Sequence, residues 1–209
     1  QLVCAPFDSP EARRYLGAMC SAANYAWANR QMLAQQIRQS LARFFGQSAE
    51  ELGIRQVYDV AHNIAKVETH TVDGRPTQLC VHRKGATRAF PAGHRELPDR
   101  YRSTGQPVLI PGDMGTASWV LVGTDRAMEE SFGSCCHGAG RVMSRHQAIE
   151  AARGRNIDKE LAERGIIAKA RGRTGLAEEQ PDAYKDVDAV VECVHAAGLA
   201  RKVARLRPM

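Results

Sequence analysis

Residues 131–145 contain the side chains of this sequence that could do chemistry, because His137 lies there among small residues. Small residues let the backbone approach a ligand closely, and successive backbone N–H groups in such a turn can bind an anion. Arg141 and Arg145 follow, and guanidinium groups suit phosphate oxygens. A histidine held against a phosphate can act as a nucleophile, an acid or a base. By itself, the stretch fits a solvated glycine-rich surface turn equally well. Its small residues are Gly133, Ser134, Gly138, Ala139 and Gly140.

The composition is that of a globular protein with a basic surface. The chain has 209 residues, 44% of them hydrophobic, and a mean hydropathy of −0.38, enough for one domain or two small ones. We expect neither a membrane span nor a signal peptide. A net charge of +6 and a pI of about 9.2 favour a polyanionic partner only weakly, since arginine-rich proteins are often basic without one.

The cysteine pattern indicates a reducing compartment. No Cys-x-x-Cys spacing occurs, which argues against a zinc knuckle. The adjacent Cys135 and Cys136 are poorly placed for a disulfide framework, so we expect the cytoplasm. The six cysteines are Cys4, Cys20, Cys80, Cys135, Cys136 and Cys193.

The first half of the chain predicts one long helix and a hairpin. Ser9-Pro10 is a helix start, and apolar residues recur at helical spacing as far as Phe44. Residues 48–51 form a capping-box pattern that predicts a short helix. Asp73-Gly74 between two alternating runs predicts a hairpin, with His62-Asn63 just before or within its strand region. Residues 83–88 then predict a basic loop that can hold phosphates, although a merely solvated loop is favoured.

The second half predicts two strands around a turn, followed by helices. Residues 107–110 and 118–122 are strand-like and flank the turn 111–117, and residues 91–104 resemble a connecting loop. Asp113 in the turn could contact a base edge or a metal, or could simply suit turn chemistry. Helices are predicted over 144–152, 158–164 and 187–197, with an irregular stretch at 172–181 and a basic terminal strand at 201–207. The fold class is therefore α+β: a hairpin-rich sheet layered with the long first helix and the C-terminal helices.

Seven motifs in series resemble the RtcB-type RNA ligases, the GTP- and manganese-dependent enzymes of tRNA splicing and RNA repair. Each motif is weak alone, but together they run almost end to end, in order and without large gaps. They are Gln-Leu-Val-Cys-Ala-Pro at 1–6, Tyr-Asp-Val-Ala-His-Asn-Ile-Ala-Lys at 58–66, His-Arg-Lys-Gly-Ala-Thr-Arg-Ala-Phe at 82–90, Gly-Gln-Pro-Val-Leu-Ile-Pro-Gly-Asp-Met-Gly-Thr at 105–116, Cys-His-Gly-Ala-Gly-Arg at 136–141, Ala-Tyr-Lys-Asp at 183–186 and Val-Ala-Arg-Leu-Arg-Pro at 203–208.

The resemblance implies a ligase that works through a histidine–GMP intermediate. His137 would attack the α-phosphate of GTP, and the guanylate would move to an RNA 3′-phosphate, made from a 2′,3′-cyclic phosphate where necessary. A 5′-hydroxyl end would then displace GMP. Mn²⁺ would neutralise the triphosphate, with His62 as one ligand, which is reasonable because manganese accepts imidazole.

The resemblance also implies which residues bind nucleotide and RNA. Four cations would contact the RNA phosphates: Arg83, Lys84, Arg88 and Arg141. Nucleotide contacts would come from His62, Asn63, Pro111, Gly112, Asp113, Met114, Ser118, His137, Gly138, Ala139, Gly140 and Tyr184.

Two departures from the family pattern limit what this chain is expected to do. The other manganese ligands of the family belong to an N-terminal half, and a lysine that contacts guanine belongs to a tail, and neither is found in this sequence. We therefore expect residues 1–209 to be the C-terminal portion of a larger catalytic domain, inactive alone and possessing exposed apolar surface. Position 113 is often Ser or Thr in the family, so the role of Asp113 stays open. An activator protein is a possible further partner.

Two other functions remain compatible with the sequence. A non-catalytic RNA- or nucleotide-binding module would fit the basic charge and the glycine-rich turns equally. A metal-dependent phosphohydrolase using His62 and His82 is less favoured, because the several carboxylates that two-metal hydrolysis needs are not evident.

Overall fold

A computed structural model describes residues 3–170 and 172–209, so the first two residues of the first motif, Gln1 and Leu2, lie outside the described residues. The chain divides into two compact units. The first comprises the residues up to Asp59 together with Ile64–Lys66. The second comprises Val60–Asn63 and Val67–Met209, and it carries the candidate site.

The first unit is built on one long helix, α1 (Pro10–Phe45), which confirms the predicted helix. The Ser9 side chain accepts a hydrogen bond from the backbone N–H of Ala12, and Gly46 ends the helix in a left-handed conformation. None of the residues of α1 is buried. Within this unit, the Lys66 ammonium lies 5.8 Å from the centroid of the Trp27 ring.

The short helix predicted after α1 is not formed. Both capping-box hydrogen bonds between Ser48 and Glu51 are present, but residues 49–53 form only turns. Gly53 has a φ of +66°, which takes the backbone out of the helical region after a single turn. The two capping hydrogen bonds are therefore formed although no helix follows them.

The predicted hairpin is confirmed. Strands β1 (Asn63–Val72) and β2 (Arg75–Lys84) are joined through Asp73 and Gly74, whose φ values of 50° and 75° suit a two-residue hairpin turn. The basic loop predicted at 83–88 is wrong in part. Arg83 and Lys84 end β2, and residues 86–88 form a strand, β3 (Ala86–Arg88), that pairs antiparallel with β6 (Ser134–Cys136).

The third sheet is antiparallel and has the order β4–β5–β7. Its strands are β4 (Pro107–Pro111), β5 (Ser118–Gly123) and β7 (Ala200–Leu206), which confirms the two predicted strands and the terminal one. Helix α7 (Val187–Ala196) packs against this sheet. Fully buried side chains lie between them, and this is the main core: Val108, Ile110, Leu121, Val187 and Val191.

Short helices complete the second unit. The predicted helices near 144–152 and 158–164 are confirmed, and they pack around a smaller core that includes Ile157 and Leu161. The stretch 172–181, predicted to be irregular, instead contains a helix, because it packs its apolar Leu176 and Ala177 against that core. The short helices are α2 (Asp99–Arg102), α3 (Asp125–Ser131), α4 (Arg145–Ala151), α5 (Ile157–Glu163), α6 (Arg173–Glu178) and a 3-10 turn at Pro181–Ala183.

The α+β fold class is confirmed, with the β structure divided over three small antiparallel sheets in the described residues. Over the same residues, every helix is too short or too polar to cross a lipid bilayer.

Candidate active site

Two histidines stack against each other at the centre of the candidate site. The imidazole rings of His62 and His137 are parallel to within 1°, and their centroids are 4.7 Å apart. His62 is exposed and directly precedes β1, whereas His137 is half-buried and directly follows β6. A Cβ atom on Gly85 would lie 3.9 Å from the His137 ring, so the backbone between β2 and β3 passes close to that ring.

The loop after His137 is tied to the turn that follows β4. The backbone N–H of Ala139 donates to the carbonyl of Pro111 at 3.0 Å, and a Cβ atom on Gly138 would lie 3.4 Å from the same oxygen. Pro111 pairs with Ser118 across the two strands, and this pairing closes the turn. The tertiary structure therefore brings the glycine-rich loop and the 111–117 turn together, and the family resemblance implies that both segments contact the same nucleotide.

Glycine is required at position 112 for a packing reason. A Cβ atom there would lie 2.3 Å from the Ala117 carbonyl oxygen and 2.9 Å from the Val187 side chain. The backbone N–H of Gly112 donates to that same carbonyl at 3.0 Å. The turn is thus closed tightly across its base and held against α7.

Asp113 uses both carboxylate oxygens inside the turn. One accepts from the backbone N–H of Gly115 at 2.7 Å, and the other accepts from the Thr116 hydroxyl at 2.6 Å. Of the three roles considered for Asp113, these contacts favour turn chemistry over a base or metal contact. Its neighbour Met114 packs against the smaller core.

The environment of His137 favours its neutral form. Burial lowers the pKa of His137 below its ordinary value, and the neighbouring His62 and the charge of the exposed Lys84 lower that pKa further. A neutral imidazole has a free nitrogen lone pair, which a nucleophile or general base needs.

The thiol of Cys136, next to His137, also has an altered acidity, and Cys136 was not among the predicted site residues. The Cys135 thiol donates to Cys136, and this, together with the backbone N–H of Gly138, lowers the pKa of Cys136 to about 7 against the opposing effect of burial. The pKa of Cys135 is raised, first by the same hydrogen bond and then by burial. The adjacent cysteine pair next to His137 was the sequence signal for this feature.

The side chains of Arg141 and Tyr184 contact each other beside the glycine-rich loop. Arg141 donates to the Tyr184 hydroxyl at 2.9 Å and to Glu179 at 3.2 Å, and its remaining donors reach the carbonyls of Met143 and Glu178. Burial, followed by the hydrogen bond with Glu179, raises the pKa of Tyr184. The expected RNA-phosphate role of Arg141 is therefore not supported, since its donors are engaged within the protein.

Backbone hydrogen bonds also hold Arg141 and Tyr184 close to the glycine-rich loop. The N–H of Lys185 donates to the Gly140 carbonyl at 3.0 Å, and Arg141 and Tyr184 form an antiparallel bridge. Tyr184, expected near the nucleotide, is thereby held next to Gly140.

The expectation that Arg83 lines an RNA path is corrected by its burial. Arg83 is only 2% exposed, and its guanidinium makes two parallel 2.8 Å hydrogen bonds to the Glu68 carboxylate. It also donates to the Ser134 hydroxyl at 2.9 Å. A side chain engaged in this way is unable to reach RNA.

Arg88 is also engaged within the protein, and Lys84 is exposed. Arg88 pairs with Glu96 at 2.8 Å and lies 4.5 Å from the Phe90 ring centroid. Of the cations assigned to RNA, Lys84 is exposed and also close enough to affect His137.

The side chains fit a divalent metal ion only in part. Within residues 3–170 and 172–209, no group of three or more His, Cys, Asp or Glu side chains is arranged to hold a metal. His62 offers one imidazole, which manganese accepts, so further ligands must come from elsewhere. The same finding removes support for the carboxylate-rich site of a two-metal phosphohydrolase in this part of the chain.

These features define an α+β domain whose candidate active site is a half-buried histidine set against a second histidine and glycine-rich backbone. The model of the family described as tRNA-splicing ligase RtcB matches residues 1–209, so the chain belongs to that family.

Curated relatives with this name are similar over the whole chain. The protein from Archaeoglobus fulgidus is 55% identical over 209 residues, all of this chain and 43% of that protein. The Thermococcus kodakarensis protein is 56% identical with 43% of its length covered, and the Pyrococcus abyssi protein is 57% identical with 23% covered. The chain thus spans less than half the length of these relatives.

Proposed function

We propose that the protein to which this chain belongs is an RNA ligase that joins RNA 3′-phosphate or 2′,3′-cyclic phosphate ends to 5′-hydroxyl ends, with GTP as the energy source. The observation that carries the proposal is His137, half-buried, with a lowered pKa, and stacked on His62 beside the glycine-rich loop and the 111–117 turn. The name of the relatives, tRNA-splicing ligase, supports RNA as the substrate and tRNA splicing as the setting.

His137 acts as the nucleophile in this proposal. Its nitrogen lone pair attacks the α-phosphorus of GTP, a nitrogen–phosphorus bond forms, and the bond to pyrophosphate breaks. An oxygen of the RNA 3′-phosphate then attacks the same phosphorus, and the nitrogen–phosphorus bond breaks. Finally the 5′-hydroxyl oxygen attacks the 3′-phosphorus, its proton is lost to solvent, and GMP leaves. Where the RNA ends in a 2′,3′-cyclic phosphate, water opens it to the 3′-phosphate before these steps.

The rest of the site has supporting roles. A nucleotide would lie close to the backbone of the glycine-rich loop and of the 111–117 turn, at Gly138, Ala139, Gly140, Pro111 and Gly112. The segments around the nucleotide would include four further residues: Asn63, Met114, Ser118 and Tyr184. Lys84 supplies positive charge near His137. Manganese, when bound, would neutralise triphosphate charge, with His62 as one of its ligands.

This chain alone is proposed to be unable to ligate RNA. Its described residues offer one candidate manganese ligand and no cluster of three. The missing ligands would come from the part of the longer relatives that this chain does not match. A cytoplasmic location and an accessory activator protein belong to the same proposal.

Intact-protein mass spectrometry after incubation with GTP and Mn²⁺ tests this function. The chain is compared with a version extended at both ends to the length of the Archaeoglobus fulgidus relative. We expect one guanylate on the extended protein and none after His137→Ala. His146→Ala is the matched control, since His146 is an exposed histidine on α4 and should leave the adduct unchanged.

An adduct that survives His137→Ala would disprove the nucleophile. A folded extended protein that gains no guanylate would favour the second candidate, a non-catalytic RNA- or nucleotide-binding module. The net charge of +6 is the observation that favours this second candidate.

A further inference from the structure

We propose that Thr87 is a positioning residue for the proposed ligase chemistry, because its hydroxyl group holds His62 in register with His137. This inference rests on the proposed function for its catalytic consequence, although the geometry stands by itself. Thr87 is assigned no role by the family resemblance or by the comparisons.

The first observation is a buried hydrogen bond to the segment that carries His62. Thr87 is 0% exposed, and its hydroxyl donates to the Ala61 carbonyl at 3.0 Å. Ala61 directly precedes His62, and the backbone of residues 60–62 has no regular secondary structure. The side-chain hydrogen bond from Thr87 therefore restrains this irregular backbone directly before the His62 ring.

The second observation links the same residue to His137. Thr87 lies in β3, directly opposite Cys135 of β6, and the neighbouring pair is Ala86 with Cys136. His137 is the residue that follows Cys136. Through its backbone Thr87 is thus part of the ladder that ends at His137, and through its side chain it holds the residue before His62.

These two attachments account for the geometry of the histidine pair. Thr87 contacts Ala61, one residue before His62, and pairs with Cys135, two residues before His137. The two rings are parallel, and their centroids are 4.7 Å apart. Loss of the hydroxyl hydrogen bond would free the His62 segment while leaving the β3–β6 ladder in place. A ring displaced by about 1 Å from its productive position can cost on the order of 100-fold in rate.

The substitutions separate the hydroxyl from the packing. Thr87→Val keeps the shape of the side chain and removes its donor. Thr87→Ser and Thr87→Ala form a second pair that differs only in the hydroxyl, and it serves if the valine variant fails to fold. The matched control is Thr77→Val on β2, where the hydroxyl donates to the Arg75 carbonyl at 3.2 Å away from the site.

The first readout is the nuclear Overhauser effect between the ring protons of His62 and His137 in the histidine-labelled chain. We expect this signal in the unmodified chain, in Thr87→Ser and in the control variant Thr77→Val. We expect it to be lost in Thr87→Val and Thr87→Ala while their unfolding transitions remain cooperative. A loss of global stability alone would not remove the signal from the folded population.

The second readout is single-turnover guanylylation of the extended protein with GTP. The maximal rate should fall about tenfold or more in Thr87→Val and Thr87→Ala and recover in Thr87→Ser. Equal rates within the Ser and Ala pair, or a retained ring–ring signal in Thr87→Val, would overturn the proposal. An unmodified extended protein that forms no guanylate contradicts the proposed function instead, and the ring–ring signal then still decides whether Thr87 holds the pair.

Discussion

At the scale of single residues, Glu68 and Arg83 form a buried ion pair in the second unit. The two side chains are 2% and 1% exposed, and His70 also contacts the Glu68 carboxylate at 2.9 Å. Arg83 continues to the Ser134 hydroxyl at the start of β6. The pair therefore joins the β1–β2 hairpin to the strand that leads to His137.

Glu68→Gln should destabilise the protein by about 3–5 kcal/mol, because it leaves the Arg83 charge buried without its partner. Burial raises the pKa of Glu68, but the hydrogen bonds from Arg83 and His70 outweigh it and hold that pKa below its ordinary value. A lowered carboxyl pKa gives stability that is present above the unfolded value and lost as pH falls through the folded value. The free energy of unfolding of Glu68→Gln should therefore depend less on pH than that of the parent as the pH falls below about 4.3, the ordinary pKa of glutamate.

Urea denaturation at several pH values measures both effects. Glu96→Gln is the control, since Glu96 pairs with Arg88 but its side chain is 41% exposed, and an exposed pair contributes about 0–1 kcal/mol. Equal losses in the two variants would show that burial does not govern the Glu68 pair.

Gly112→Ala should cost about 1–3 kcal/mol, because the added methyl group meets the Ala117 carbonyl and Val187. Gly17→Ala is the matched control. Nothing lies within 4 Å of a Cβ atom there, and α1 should gain about 0.5–1 kcal/mol from the better helix former. Thermal unfolding compares them, and a Gly112→Ala variant as stable as the parent would contradict the tight closure of the turn.

At the scale of elements, short pieces of regular structure support the site loops. Strands β3 and β6 have three residues each, and α4 begins five residues after Gly140. Such pieces gain little from length and depend on their ends and on packing. Helix α4 has a complete capping box, in which Ser144 and Gln147 each bond the backbone of the other.

Ser144→Ala should remove about 1 kcal/mol of stability, because one backbone N–H of the first turn of α4 loses its acceptor. The control is Ser21→Ala in the interior of α1, where the hydroxyl donates to the Gly17 carbonyl and alanine is a better helix former. Chemical denaturation of the two variants gives the comparison, and no difference between them would argue against a stabilising cap.

At the scale of the whole molecule, the charge of +6 predicts electrostatic binding to RNA. Affinity for a single-stranded RNA should fall as salt is raised, and the logarithmic slope should decrease by about 0.7 in Lys84→Gln if Lys84 contacts one phosphate. His137→Ala should bind RNA as the parent does, since the nucleophile is not needed for binding. Titration by fluorescence anisotropy measures these slopes.

Lys159→Gln provides the control for that titration. Lys159 is exposed on α5, and its replacement changes the net charge by the same amount. An identical slope for the two lysine variants would mean that RNA responds to net charge and not to the surface beside His137.

Much of the secondary structure was predictable because it follows from short-range rules. The long helix follows from Ser9-Pro10 and its apolar spacing, and the hairpin follows from the positive φ angles that Asp73-Gly74 allows. The segment after Ser48 shows the limit of such rules, since its capping box is formed but Gly53 stops the helix.

The sequence by itself indicated the family, which the family model confirms, and it predicted the nucleotide-site candidates with His137 among them, because series of motifs and turn chemistry are properties of neighbouring residues. The tertiary structure decided which candidates meet and which are buried. It stacked His62 on His137, which are 75 positions apart in the chain, and it turned Arg83 inward to Glu68. Such contacts depend on how strands from distant parts of the chain pair, and residue type alone does not encode that pairing.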